Sequence, residues 1–236
     1  GTMLNDRHVK DGVSRVVGAG THTRVFWDEY QAGNIDDREW QHLESRMTRA
    51  PGTCNTMGTA STMTGMTEAL GLMLPGASSI PAMDSAHTRM ATDCGERIVA
   101  MIWEDLKPSH LLTRASFSNA LAVQMALGGS TNAAVHIIAM ARRAGVGLTL
   151  DDLDAMGRKV PVLANLFPSG DRLMEDFYYA GGLPALMHEI RDYLDLDALT
   201  VSGFSVGSNS APARTLDPDV IRPLSNPIYA EGALAV

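Results

Sequence analysis

The stretch GTCNTMGTASTM, residues 52–63, places Cys54 among glycines and hydroxyl residues directly before a predicted helix. Backbone N–H groups at the start of a helix carry partial positive charge, which favours a thiolate over a thiol. Cys54 is therefore a candidate metal ligand or nucleophile. The alternative is a structural role, because a free cysteine most often fills a small buried space. The position of Cys54 alone leaves both interpretations open.

A nucleophilic Cys54 needs an imidazole within hydrogen-bond distance as its base, and His22 and His136 are the candidates. His136 lies in the apolar run AAVHIIAM, which is more typical of a buried, hydrogen-bonded histidine. A metal site needs further ligands, and the sequence contains no HxxxH or CxxC motif. The second cysteine, Cys94, lies on the apolar face of a predicted helix, so we predict that it is buried.

Two glycines precede another predicted helix in the run GGSTN, residues 128–132, whose first turn bears Ser130, Thr131 and Asn132. Free N–H groups and hydroxyls at a helix start can bind a carboxylate or a phosphate. The alternative is that Ser130 or Asn132 only caps the helix. The run is therefore a second candidate binding site.

Hydrophobic spacing and capping residues predict that most of the chain is helical, with Asp84 or Ser85, Thr113 and Thr149 as N-caps. The first 24 residues contain no clear strand or helix. The best strand candidates are 160–166 and 198–201, which are apolar or β-branched and bounded by turn residues. The predicted fold class is a helix-rich α/β arrangement. Its predicted helical segments are 26–32, 36–49, 56–72, 84–106, 113–127, 130–144 and 151–159, followed by an interrupted helical stretch at 174–194.

Composition narrows the classes of function. The chain has 236 residues, 45% of them hydrophobic and 19% charged, and a net charge of −8. A nucleic-acid surface needs clustered Lys and Arg, so nucleic acid is excluded as an expected partner. No apolar run is long enough to span a bilayer, and the N-terminus GTMLNDRHVK has no signal-peptide core. We therefore expect a cytoplasmic protein without membrane contact that acts on small molecules.

Four segments resemble a known family, the dihydroxy-acid dehydratase and 6-phosphogluconate dehydratase superfamily. They are GTCNTMGTASTMTGMTEALGLMLPG (52–76), GGSTNAAVHIIAMARRAGVGLTLDD (128–152), MEDFYYAGGLPALMHEI (174–190) and VIRPLSNPIYAEGALAV (220–236). The first is highly specific and the others are supportive. Within the superfamily, GTCNTMGTASTM and EDFYYAGGLP are most similar to the branch that dehydrates sugar acids (aldonates) such as arabinonate or xylonate.

The resemblance implies an iron-sulfur hydro-lyase that converts a 2,3-dihydroxy acid into a 2-keto-3-deoxy acid. Three cysteines hold the cluster in this family, typically 2Fe-2S rather than 4Fe-4S, and Cys54 matches the last of them. One iron without a protein ligand acts on the leaving C3 hydroxyl, while Mg²⁺ binds the substrate carboxylate and C2 hydroxyl. The resemblance places the other cysteines and the Mg²⁺ ligands before Gly1, and the catalytic serine base after Val236.

Residues 1–236 accordingly resemble the latter part of the family's N-terminal, cluster-binding α/β domain, without its C-terminal β-barrel-like domain. The chain by itself is then expected to be inactive, and the full-length enzyme is expected to form a homodimer or homotetramer. Two alternatives remain from the sequence. One is a dihydroxy-acid dehydratase of branched-chain amino-acid synthesis, and the other is a truncated, non-catalytic homologue.

Overall fold

A computed structural model describes residues 1–10 and 12–234 of the chain. The first regular structure is an antiparallel hairpin of β1 (Asp6–Lys10) and β2 (Val13–Val17), in which Asp6 pairs with Val17. This hairpin is not predicted from the sequence, because β1 has little β-branched character and is supported by tertiary contacts instead. Arg46 donates from Nη1 to Asp6 Oδ1 at 2.8 Å and so ties β1 to the second helix.

Eleven α-helices lie in the described residues, and three of them begin at the predicted caps. The side chains of Asp84, Thr113 and Thr149 each accept a backbone N–H in the first turn of the helix that follows. Gly181, at φ 114°, separates the two helices of the predicted interrupted stretch. The helices are α1 (Thr21–Gln31), α2 (Asp37–Met47), α3 (Thr59–Ala69), α4 (Ser85–Trp103), α5 (Pro108–Leu111), α6 (Arg114–Ala126), α7 (Asn132–Arg143), α8 (Leu150–Gly157), α9 (Met174–Tyr179), α10 (Gly182–Glu189) and α11 (Val206–Ser210).

The core is built around α6, which is buried along most of its length and packs against α3 and α8. Phe117, Leu121 and Met125 repeat every four residues and are fully buried, as their spacing indicates. In a helix that is buried on all sides, the polar side chains must find hydrogen-bond partners within the protein. Asn119 meets this need by donating to Asp195 O at 2.9 Å and accepting from Asp195 N at 2.7 Å.

The two segments predicted as strands are extended but form no regular ladder. Isolated bridges join Val162 to Tyr229, Ala164 to Ile221 and Leu199 to Ser205. The backbone around residue 163 donates instead to Ala126 O at the end of α6, so no continuous strand pairing develops. The apolar side chains of 160–166 are buried as expected. The predicted helix-rich α/β class is confirmed, with less β structure than the sequence suggested.

Two predictions of burial on helices are wrong. Cys94 is exposed because α4 lies along the surface and buries only Met101. His136 is exposed because the buried face of α7 is formed by Ala133, Ile137 and Ala141. Of the helices formed by residues 1–10 and 12–234, none is both long and apolar enough to cross a membrane.

Candidate functional site

The Cys54 loop is fixed from both sides by backbone hydrogen bonds. Before the cysteine, Thr53 O accepts from Met3 N at 2.8 Å. After it, Met57 N donates to Phe167 O at 2.7 Å, and Asn55 O accepts from Met174 N at 2.9 Å. The N-terminal segment and the stretch 167–174 therefore set the position of the loop, although both are distant from it in sequence.

Within the loop, the sulfur of Cys54 lies beside a hydroxyl group. Cys54 Sγ is 3.0 Å from Thr56 Oγ1. Ser61, in the first turn of α3, donates from Oγ to Thr56 O at 3.0 Å and so holds the loop against the helix start. Thr56 and Ser61 are buried, whereas Cys54 is only partly buried. The thiol is thus held in one place and can still be reached by a ligand.

A glycine-containing turn, residues 18–20, also lies next to the sulfur of Cys54. Ala19 N donates to Asn55 Oδ1 at 3.1 Å, which attaches the turn to the Cys54 loop. A Cβ atom added at Gly20 would lie 3.7 Å from Cys54 Sγ and 3.4 Å from Thr56 Oγ1. The glycine therefore leaves free space directly beside the sulfur.

His22 supports this turn and is not paired with the thiol. Its Nδ1 accepts from Gly18 N at 2.8 Å, which places the proton of the neutral ring on Nε2. Partial burial lowers the pKa of His22. Among the described residues no hydrogen bond joins His22 to Cys54, and His136 is exposed on α7. The geometry therefore gives the nucleophile hypothesis no base.

The GGSTN run meets the start of α3, only a few residues after Cys54. Thr59 Oγ1 lies 3.0 Å from Ser130 Oγ and accepts from Asn132 Nδ2 at 3.0 Å. Ser130 N donates to Thr62 Oγ1 at 2.9 Å. The GGSTN run is thus joined to the first turn of α3 through Thr59 and Thr62, neither of which is predicted as a site residue from the sequence.

Neither Ser130 nor Asn132 is the N-cap of α7, which is Thr131 and makes no side-chain capping bond, but Ser130 still contributes to the first turn. Ser130 Oγ accepts from Asn132 N at 3.2 Å, so it satisfies one N–H in the first turn of α7, while Thr131 is exposed. The start of α3 differs, because Gly58 occupies its N-cap and no N-cap side chain accepts its first N–H groups. Such N–H groups can bind an anion. A carboxylate would find donors at the α3 terminus together with the Thr59 hydroxyl.

Cys54 is not accompanied by a complete metal site in the described part of the chain. Among residues 1–10 and 12–234, no three His, Cys, Asp or Glu side chains are close enough together to hold a metal ion. The loop does fit one ligand position of an iron-sulfur cluster. It offers an accessible thiol, free space at Gly20 and a hydroxyl that can donate to sulfur.

Comparison with known proteins gives a family match over most of the chain. The model of the family described as dihydroxy-acid/6-phosphogluconate dehydratase N-terminal matches residues 1–209. A 6-deoxy-6-sulfo-D-gluconate dehydratase of Pseudomonas putida is 56% identical over 213 residues, which cover 90% of this chain and 37% of that protein. An L-arabinonate dehydratase of Rhizobium leguminosarum bv. trifolii is 46% identical over 222 residues, covering 93% of this chain and 38% of that protein.

A third relative carries a different name. A dihydroxy-acid dehydratase of Halothermothrix orenii is 42% identical over 210 residues, covering 88% of this chain and 38% of that protein. The chain therefore spans less than two fifths of the length of these three relatives.

Proposed function

The chain belongs to the dihydroxy-acid/6-phosphogluconate dehydratase family, and we propose that it forms the cluster-holding part of an iron-sulfur sugar-acid dehydratase. Its family relatives are named as dehydratases, which are hydro-lyases. The observation that carries the proposal is the Cys54 loop, whose sulfur is accessible, hydrogen-bonded to Thr56 and bordered by free space at Gly20.

In this proposal Cys54 supplies one thiolate to a cluster, 2Fe-2S in preference to 4Fe-4S. When bound, the cluster supplies a Lewis-acidic iron for departure of the C3 hydroxyl, and Mg²⁺ from outside these residues assists. The Thr56 hydroxyl donates to the Cys54 sulfur and so stabilises its negative charge. Asn55 keeps the turn at 18–20 against the loop. No residue of this chain is assigned as the base.

The proposed substrate is a sugar acid that is dehydrated to a 2-keto-3-deoxy acid. Ser130, Thr131 and Asn132 form its proposed binding segment, with Thr59 and the open start of α3 beside the first and last of them. The relatives named for sugar acids are 56% and 46% identical to the chain, against 42% and 44% for two dihydroxy-acid dehydratases. This order favours a sugar acid over a branched-chain dihydroxy acid.

The proposal also includes the domain to which the chain belongs, the cellular location and the oligomeric state of the enzyme. Residues 1–236 act as part of an N-terminal domain, and the protein works in the cytoplasm as a homodimer or homotetramer. Its net charge of −8 supports a small-molecule substrate over nucleic acid.

Anaerobic purification of the full-length protein tests the cluster, because iron and acid-labile sulfide can be measured beside the visible absorption. Cys54→Ser is expected to lose most of the iron, and Cys94→Ser is the matched control that keeps it. Turnover is then compared between 6-deoxy-6-sulfo-D-gluconate, L-arabinonate and a branched-chain 2,3-dihydroxy acid. Full iron content in Cys54→Ser would refute the ligand assignment. Iron-free wild-type protein without turnover would favour the non-catalytic homologue.

A further inference from the structure

The backbone of Ser130 is fixed on both sides by buried polar side chains. Ser130 N donates to Thr62 Oγ1 at 2.9 Å, and Ser130 O accepts from Gln124 Nε2 at 3.1 Å. Thr62 lies on α3 and Gln124 on α6, and both residues are fully buried. Two core helices therefore hold a residue whose hydroxyl reaches the start of α3.

Gln124 also packs directly against the GGSTN run. Its backbone O accepts from Gly129 N at 3.0 Å, in addition to the side-chain bond to Ser130 O. A Cβ atom added at Gly129 would lie 3.2 Å from Gln124 Cγ. The side chain and the run are in close contact, so a change at Gln124 would alter the position of the run.

Stability does not account for the amide of Gln124. Its Oε1 is buried and has no hydrogen-bond partner among the described residues. A buried acceptor without a partner costs folding free energy. Ser130 O does not depend on the Nε2 donor either, because it also accepts from Ala133 N at 3.1 Å. An apolar side chain of similar length would therefore be at least as stable at this position.

Asn119, the other amide side chain of α6, is paired completely. Its Nδ2 donates to Asp195 O at 2.9 Å and its Oδ1 accepts from Asp195 N at 2.7 Å. Asn119 therefore stabilises the contact between α6 and the segment at Asp195. Gln124 has no such match, and its one side-chain hydrogen bond is made to the proposed binding segment.

The hydroxyl of Ser130 is the group that Gln124 would position. Ser130 Oγ lies 3.0 Å from Thr59 Oγ1, so the backbone position of Ser130 decides where its hydroxyl meets the start of α3. A binding group must be held in one geometry by the residues behind it. We propose that Gln124 is a positioning residue, which holds Ser130 for the substrate without contacting the substrate itself. This inference rests on the proposed binding of a sugar acid by Ser130, Thr131 and Asn132.

Gln124→Met in the full-length protein tests this role, because methionine has a similar length and lacks the amide. KM for the preferred sugar acid should rise roughly tenfold, since small displacements of positioned groups weaken their interactions strongly. The value of kcat should change less than about twofold, because the proposed cluster ligand and base lie outside the GGSTN run. The urea midpoint should equal or exceed that of the wild type, since the buried Oε1 is removed.

Asn119→Ala is the matched control on the same helix. It removes both hydrogen bonds to Asp195 and leaves Asp195 N without that acceptor, so the urea midpoint should fall. KM should stay at the wild-type value, because the hydrogen bonds of Asn119 lead away from the GGSTN run. The two variants are thus expected to have opposite effects on KM and on stability.

Hydrogen–deuterium exchange gives a readout that does not depend on turnover. Under conditions far from global unfolding, the backbone amides of residues 128–132 should exchange faster in Gln124→Met than in the wild type.

Unchanged KM in Gln124→Met, or unchanged exchange of the run, would refute the positioning role while a normal wild-type turnover leaves the proposed function intact. A Gln124→Met protein that unfolds or has a lower urea midpoint would also overturn the inference, because the amide would then serve stability. A wild type that turns over no sugar acid would refute the proposed function, and this inference with it.

Discussion

Thr59 and Ser130 are joined by their hydroxyl groups, with Oγ1 and Oγ 3.0 Å apart. Thr59 begins α3, directly after the Cys54 loop, and Ser130 lies two residues before Asn132, the first residue of α7. Their contact holds the starts of two helices together. A ligand that binds at this junction would therefore contact the start of α3 and the polar segment selected from the sequence.

Thr59→Ala is expected to weaken substrate binding. It removes a hydroxyl from the junction, and a hydrogen bond to a charged group contributes about 1.5–3 kcal/mol. If the proposed carboxylate site is correct, KM should rise roughly 10- to 100-fold with little change in kcat, because uniform binding is lost. Steady-state kinetics on the preferred sugar acid measure this.

Thr64→Ala is the matched control, since its hydroxyl donates only to Ala60 O within α3 at 2.8 Å. The iron content of both variants must equal that of the wild type. An unchanged KM in Thr59→Ala would place the substrate carboxylate elsewhere.

Thr56→Val is expected to change the electronic properties of a cluster bound at Cys54. The hydroxyl 3.0 Å from Sγ stabilises negative charge on sulfur, and hydrogen bonds to sulfur influence cluster potentials. Loss of one bond of about 1 kcal/mol corresponds to a potential roughly 40 mV lower for a one-electron couple. Redox titration followed by electron paramagnetic resonance measures the potential. Thr56→Ser keeps the hydroxyl and should behave as the wild type, so equal shifts in both variants would argue against the hydrogen bond.

His22 is expected to make the stability of the protein depend on pH in the weakly acidic range. Partial burial lowers its pKa below the ordinary 6.5, so the unfolded chain binds a proton more readily than the folded one. Stability is then lost as pH falls below about 6.5, because protonation favours unfolding and removes the acceptor for Gly18 N. Urea unfolding at several pH values from 7.5 to 5 measures the effect.

His22→Asn should reduce this slope, since the amide oxygen can replace Nδ1 as the acceptor and does not titrate. His136→Asn is the control on the exposed face of α7. Identical slopes in the wild type and His22→Asn would exclude His22 as the titrating group.

Gly129→Ala is expected to destabilise the GGSTN run. A Cβ atom there would lie 2.7 Å from Thr62 Cγ2 and 3.0 Å from Gln124 O, so either the helix α6 end or Thr62 must move. Overpacking of this kind costs about 1–3 kcal/mol. Gly147→Ala is the control, because a Cβ at Gly147 meets no atom within 4 Å. In chemical denaturation, Gly129→Ala should unfold at a lower denaturant concentration than Gly147→Ala. Equal midpoints would contradict the close packing at Gly129.

The sequence predicted features that depend on local chemistry. Caps such as Thr113 and the buried repeat of α6 are set by neighbouring residues, and both are confirmed. The helix predicted after Cys54 is also present, but it begins at Thr59 and not at residue 56. Features set by distant residues were missed. The β1–β2 hairpin is supported through Arg46, and the burial of Cys94 was predicted from a periodicity that only Met101 fulfils.

The same distinction between local and long-range features applies to the candidate site. Cys54, Ser130 and Asn132 could be selected from local patterns because glycines and hydroxyl residues surround helix starts. Their connection through Thr59, and the position of Gly20 beside the sulfur, arise from packing between segments far apart in the chain. No local pattern encodes such proximity.

The hydrogen bond from Met57 to Phe167 has a consequence for biosynthesis. During translation the residues that fix the Cys54 loop emerge about 110 residues after it, which at 5–20 residues per second is roughly 5–20 s. Through this interval the loop around the nascent thiol lacks its hydrogen bonds to Phe167 and Met174, and the thiol is more open to oxidation. Insertion of the proposed cluster at Cys54 would then follow the synthesis of the 167–174 stretch, and oxygen during translation should lower the yield of loaded enzyme more than oxygen after folding.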